Sequence, residues 1–150
     1  MNILALDCAI CTGFATLIDG NIRSGVLHTR ERTNESAGMK YLRFDAWLAE
    51  IHAIGHFDVI YYEKPHGLQG NAVESMNGFI TGIHRFAAKS NVEYKAVSPS
   101  TIKKFATGKG NAGKPEVKAW FERTIGRAPV DDNEADATAL LSYAAHELGV

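Results

Sequence analysis

No stretch of this 150-residue chain approaches the roughly 18 consecutive apolar residues that a membrane-crossing helix needs, which excludes a helical integral membrane protein. The opening residues, Met1 to Asp7, lack the basic and apolar regions of a secretory signal, so export is not expected. Cysteine is scarce: Cys8 and Cys11 are the only two, too few for a secreted disulfide scaffold, and a reducing cytoplasm is the expected setting. One-signed charge is also missing. Sixteen Lys and Arg face 17 Asp and Glu for a net charge of -1, which excludes a histone-like polycation. There is no internal repeat, low-complexity tract or linker. What is present is a 45% hydrophobic content, enough for one buried core and a single domain over residues 1–150.

The neutral average conceals a division. Lys103, Lys104, Lys109, Lys114, Lys118, Arg123 and Arg127 face only Glu116 and Glu122 in their stretch, a local excess of +5 that leaves the remainder at -6. A positive stripe beside an acidic remainder suits a protein that grips a polyanion and holds metal ions; a solvated, charge-rich surface is the plainer alternative.

Periodicity places these residues on a framework. Ile3 to Cys8 is a short buried-strand run. Phe14 to Ile18 and Ile22 to Leu27 flank Asp19 and Gly20, a two-residue hairpin signal. Ala37, Tyr41, Phe44, Leu48 and Ile51 form one helical face. Asp58 to Tyr62 is a β-branched and aromatic strand ending on Glu63. Asn71 with Glu74 reads as a capping pair opening a helix marked by Val73, Met76, Ile80, Ile83 and Ala87. Val92 to Val97 is a further strand. Ser98 and Pro99 open a short helix that stops near Gly108. The glycine-rich basic loop 109–113 follows, then a helix around Val117, Trp120, Phe121 and Thr124. A last helix, 133–148, turns Leu140, Leu141, Ala144, Ala145 and Leu148 inward. Trp120 and Phe121 read as core. The order predicts an α/β fold with a mixed sheet flanked by helices.

Two strands that end in carboxylates, Asp7 and Glu63, bring them to one end of such a sheet. Asp136 lies one turn into the last helix, with Asp132 and Asn133 four and three residues before it on the same face. Converging carboxylates repel unless a hard cation neutralises them, and Mg²⁺ or Mn²⁺ prefers such oxygens. Two such ions support phosphodiester hydrolysis. Taken singly, each residue has a plainer reading: Asp7 ends a strand, Glu63 faces water, and Asp132 or Asn133 caps a helix.

Together these segments resemble the RuvC-type Holliday junction resolvases of the ribonuclease H-like superfamily over nearly the whole chain. Ile3 to Asp7 with Thr12 and Gly13 is similar to the first strand, catalytic aspartate and following hairpin; Val59 to Glu63 to the strand carrying the catalytic glutamate; Pro99 to Lys104 and Thr107 to Lys114 to the DNA-contacting helix and loop; and Glu134 to Ala137 to the terminal motif. The resemblance implies a five-stranded mixed sheet with its first three strands antiparallel. It implies magnesium-dependent resolution of four-way DNA junctions by paired nicks, in the cytoplasm of a bacterial cell or phage-infected host. Asp7, Glu63 and Asp136 would be catalytic and hold two Mg²⁺ ions, with Mn²⁺ as substitute, and water would attack in line. Lys114 would stabilise charge at the scissile phosphate. Lys103, Lys104, Lys109, Lys114 and Lys118 would contact DNA. A homodimer would supply two symmetric sites.

The chain departs from the family at three places. Cys8 and Ala9 replace a Pro-Gly. Asn133 replaces a second acid or histidine, so either it or Asp132 completes the metal set. His66 or Leu68 occupies the region of an intercalating aromatic. Other branched or flap DNA, and junction binding without cutting, remain open alternatives. Gly108 to Lys114 fits seven positions of a nucleotide-binding P-loop, but Pro115 stands where Ser or Thr is required and a helix precedes it, so no nucleotide cofactor is expected. Cys8 and Cys11 have redox or zinc spacing without a second pair of ligands.

Overall fold

The computed structural model describes residues 1–67 and 69–150; Leu68, named above for the aromatic, lies outside the described residues. Along the chain run β1 (Ile3–Asp7), β2 (Cys11–Ile18), β3 (Asn21–His28), α1 (Met39–Gly55), β4 (Val59–Glu63), α2 (Asn71–Ser90), β5 (Glu93–Val97), α3 (Pro99–Thr107), α4 (Lys114–Ile125) and α5 (Asp132–Leu148). The strands form one sheet in the order β3-β2-β1-β4-β5. β1, β2 and β3 are antiparallel neighbours, while β4 lies parallel to β1 and β5 parallel to β4. This is the mixed sheet that the sequence predicts.

Local chemistry explains the connections. Asp19 and Gly20 both take positive φ, 49° and 79°, which lets the β2–β3 turn follow the strands' right-handed twist. Helices fill the parallel crossovers, which a tight turn cannot span. β1 is central and wholly buried, and successive side chains feed two cores. Ile3 and Ala5 join Val59 and Tyr61 on the face covered by Ile102 of α3, Val117 and Phe121 of α4, and Leu140, Leu141 and Ala144 of α5. Leu4 and Leu6 join Ile60 and Tyr62 on the other face, against Phe44 and Leu48 of α1 and Phe79 and Ile83 of α2. Phe121 is fully buried and Trp120 packs against the same core.

That alternation also decides where the acids go. Asp7 continues the Ile3, Ala5 series and Glu63 the Val59, Tyr61 series, so both strand ends present their carboxylates on the α5 side of the sheet.

Two helix starts differ from the expectation. Asn71 and Glu74 form no capping pair: the cap of α2 is Gly70, at φ 64°, a conformation that favours glycine, and Asn71 is already helical. Neither Asp132 nor Asn133 caps α5. Asp131 does, its Oδ1 accepting from the Glu134 amide at 2.9 Å. The helix therefore begins at Asp132, one residue earlier than its apolar periodicity indicates. Among the described residues, no helix is long and apolar enough to cross a membrane.

Candidate metal and nucleic-acid site

Parallel pairing of β1 with β4, in register at Leu6 and Tyr62, sets Asp7 and Glu63 side by side at the C-terminal ends of their strands. The third acid arrives because α5 comes down close on β2. Gly13 makes this approach possible: a Cβ there would lie 1.9 Å from the Asn133 carbonyl oxygen. Asn133 fixes the contact, its Nδ2 donating to the Cys11 carbonyl at 2.8 Å. One turn further, Asp136 faces the strand ends.

The proximity shows in how the acids hold their protons. Burial, then the charges of Glu63, Asp136 and Asp131, raise Asp7 well above the ordinary carboxylate range, against a small opposing pull from Lys114. Burial and Asp136 push Glu63 up to about 7, with Lys103 opposing. Burial raises Asp136 to about 6; Lys103 and Lys114 oppose it, while Asp132 and Asp131 add to it. These are like charges gathered out of water with little local compensation.

Lys103 is half-buried on α3, and its charge acts on both Glu63 and Asp136. It belongs beside the carboxylates rather than out along the surface. Lys114, the first residue of α4, is 78% exposed and pairs with Asp132 at 3.3 Å. Lys104, Lys109 and Lys118 are exposed on or between α3 and α4. Asp132 acts on Asp136 but is not among the charges that shift Asp7 or Glu63. The structure thus gathers Asp7, Glu63, Asp136, Lys103 and Lys114, pairs Asp132 with Lys114 one turn before Asp136, and uses the Asn133 amide as a clip.

A cleft of about 650 Å³ opens at the strand ends, lined by Asp7, Glu63, Lys114 and Asn133 together with Lys40, His66 and Ser75; Asp136 does not line it. Glu31 also lines it and carries a buried oxygen without a hydrogen-bond partner among the described residues. Sequence reasoning missed Glu31 and Asp131. The first lies in a loop without periodicity; the second was detectable from Asp131 and Glu134, which have capping spacing.

The donor set suits a hard divalent cation: carboxylate oxygens only, converging and mutually repelling. Among the described residues, no three His, Cys, Asp or Glu side chains already close to coordinating distance. Asp7, Glu63 and Asp136 are the residues whose repulsion a cation would relieve.

No protein-family model and no curated protein matches the chain. Solved structures do. RuvC of Thermus thermophilus aligns with a TM-score of 0.78 over 99% of this chain and 97% of its own, at 22% identity. The chain has the ribonuclease H-like fold. The same Thermus protein in complex with a Holliday junction substrate gives 0.79 over 99% and 96% of the two chains, again at 22% identity. Fowlpox virus resolvase, solved with Holliday junction DNA, aligns at 0.63 over 99% of each chain with 19% identity. In this fold the glycine-rich loop joins two helices, α3 and α4, which is not the strand-to-helix setting of a P-loop.

Proposed function

We propose that this protein is a metal-dependent endonuclease that resolves four-way DNA junctions by paired nicks, acting as a homodimer. The observation that carries the reading is the cluster of Asp7, Glu63 and Asp136, whose proton affinities burial and mutual repulsion raise, with Lys103 and Lys114 beside it. The likeness to resolvases solved with junction DNA supports the choice of substrate.

Asp7, Glu63 and Asp136 would hold Mg²⁺, two ions in the full site, with Mn²⁺ as substitute. Such ions supply Lewis-acid polarisation of the phosphodiester and a nucleophile at neutral pH. The chain's own groups do the rest. The strand ends and the docked start of α5 orient the three carboxylates before DNA arrives. Lys103, held half-buried, and Lys114, at the first turn of α4, supply positive charge where the transition state gains negative charge. Lys104, Lys109 and Lys118 track the backbone by counterion release.

The test is incubation with a four-way junction, a plain duplex and a flap, each with Mg²⁺ or EDTA. Paired nicks are expected on the junction alone and only with metal. Metal-independent cutting, or equal cutting of the plain duplex, would overturn the reading.

A further inference from the structure

Lys114 lines the same cleft and pairs with Asp132. The lysine Nζ and the carboxylate Oδ2 are 3.3 Å apart, and the side chains are 78% and 45% exposed. Asp131, not Asp132, satisfies the α5 cap, so the Asp132 carboxylate is not occupied by its own helix. Among the described residues, its closest polar engagement is this lysine. Asp132 also lies one turn from Asp136 and raises its proton affinity, whereas Lys114 lowers it. The pair therefore borders the acids with a cation whose charge is already claimed.

A carboxylate on a lysine offers what a phosphodiester offers: one negative charge and oxygen acceptors. An exposed pair of this kind gains little in water, so it is held loosely enough to be exchanged. We propose that Asp132 is a built-in phosphate mimic that occupies Lys114 until a DNA phosphate displaces it, so that every backbone must compete for this lysine. Asp132 then faces the incoming strand and opposes it. The consequence is selectivity: DNA that engages several lysines at once meets this competition more easily than DNA that touches only one or two. The proposal rests on the nuclease reading above and assigns Asp132 to substrate selection rather than to metal.

The experiment measures anisotropy of labelled junction and labelled duplex in EDTA over a salt series. It uses the wild type, Asp132→Asn, Lys114→Ala, the double variant, and Glu116→Gln. The last makes the same change of charge on α4 without breaking an ion pair. Asp132→Asn is expected to bind about 3- to 10-fold tighter at low salt, with proportionally more gain on duplex than on junction. Glu116→Gln should gain less than half as much, and the gain from Asp132→Asn should collapse in the Lys114→Ala background. A gain that survives in that background, a gain matched by Glu116→Gln, or no gain at all overturns the proposal. So does loss of Mg²⁺-dependent cutting with binding unchanged, which would make Asp132 a metal ligand. Wild-type protein that neither binds nor cuts the junction would instead bring down the nuclease reading, and this proposal with it.

Discussion

Glu134 and Asp136 stand two residues apart at the start of α5, and the chain surrounds them with opposite chemistry. Burial would raise Glu134, but bonds from Arg127, the Val130 amide and Ser24 outweigh it and hold its carboxylate below the usual range. Arg127 also lies over the Phe121 ring at 5.2 Å, tying the loop before α5 to α4. Asp136, Glu63 and Asp7 are buried in part or wholly and, among the described residues, receive no comparable set of donors. One carboxylate is satisfied and fixes the helix; the others are left short of partners and raised. Stability is concentrated at Glu134 and binding potential at the strand ends.

The sharpest way to break this contrast is to neutralise one acid from each set. Asp7→Asn should lower junction cutting at least about 1,000-fold, since it removes a ligand from charge stabilisation worth several kcal/mol, while junction binding in EDTA survives. The same change removes a source of repulsion, so the metal-free protein should melt a few degrees higher. Glu134→Gln should do the reverse, costing roughly 1.5–3 kcal/mol in urea unfolding because a charge-assisted buried network is lost, with cutting per folded molecule much less affected. Equal loss of stability in both variants would erase the distinction.

Gly13→Ala probes the docking that unites the two regions. Its Cβ would meet the Asn133 backbone at 1.9 Å, and backbone has little room to give. Overpacking should cost roughly 1–3 kcal/mol. Displacement of Asp136 should slow cutting by about 100-fold even where the protein remains folded. Rates measured well below the melting temperature separate the two effects.

The strand ends, both carboxylates and the terminal acid were legible because alternation and strand length are local properties: Asp7 and Glu63 close apolar runs whose parity fixes the face they share. The hairpin turn and the Ser98 cap were legible for the same reason. What escaped depends on approach between distant segments. Gly13 looks like any strand glycine until α5 lies on it. Asn133 stands where a ligand was expected, and only the Cys11 carbonyl shows that its amide is a clip. Lys103 and Lys114 are alike as sequence, yet Lys103 acts on Glu63 and Asp136 from a half-buried place, while the exposed Lys114 acts on Asp7 and Asp136 and also pairs with Asp132. Helix placement separates them, and hydrophobic periodicity does not specify that to the needed ångström.

Solution pH should expose the same contrast more gently. The ordinary values are 4.5 for Glu63 and 3.8 for Asp136, and the folded protein raises these to about 7 and about 6. Between those limits the native state binds more protons than the unfolded chain, so stability falls as pH rises from about 4 to 7. In EDTA the melting temperature should decline across that window. Mg²⁺ or Mn²⁺ should restore it most at the alkaline end and release protons on binding, measurable by calorimetry in buffers of different ionisation enthalpy. Asp7→Asn should flatten the decline and reduce the proton release; Glu134→Gln should leave the release in place.

The smallest expected effect concerns a charge in neither set. Lys118 is exposed on α4, one turn beyond Lys114 and outside the field of the three acids. If it only tracks the DNA backbone, Lys118→Ala should weaken junction and duplex binding alike by a few-fold and reduce the slope of log K against log salt by about 0.9. Its cutting rate at saturating protein should match the wild type, because no transition-state charge is lost. Lys103→Ala should instead slow saturated cutting more than it weakens binding, and should raise the proton affinity of Glu63 by removing the charge that opposes it. Were Lys118→Ala to slow saturated cutting as much as Lys103→Ala, the reacting phosphate would lie further along α4 than the strand ends, and the acids at 7, 63 and 136 would lose their claim to it.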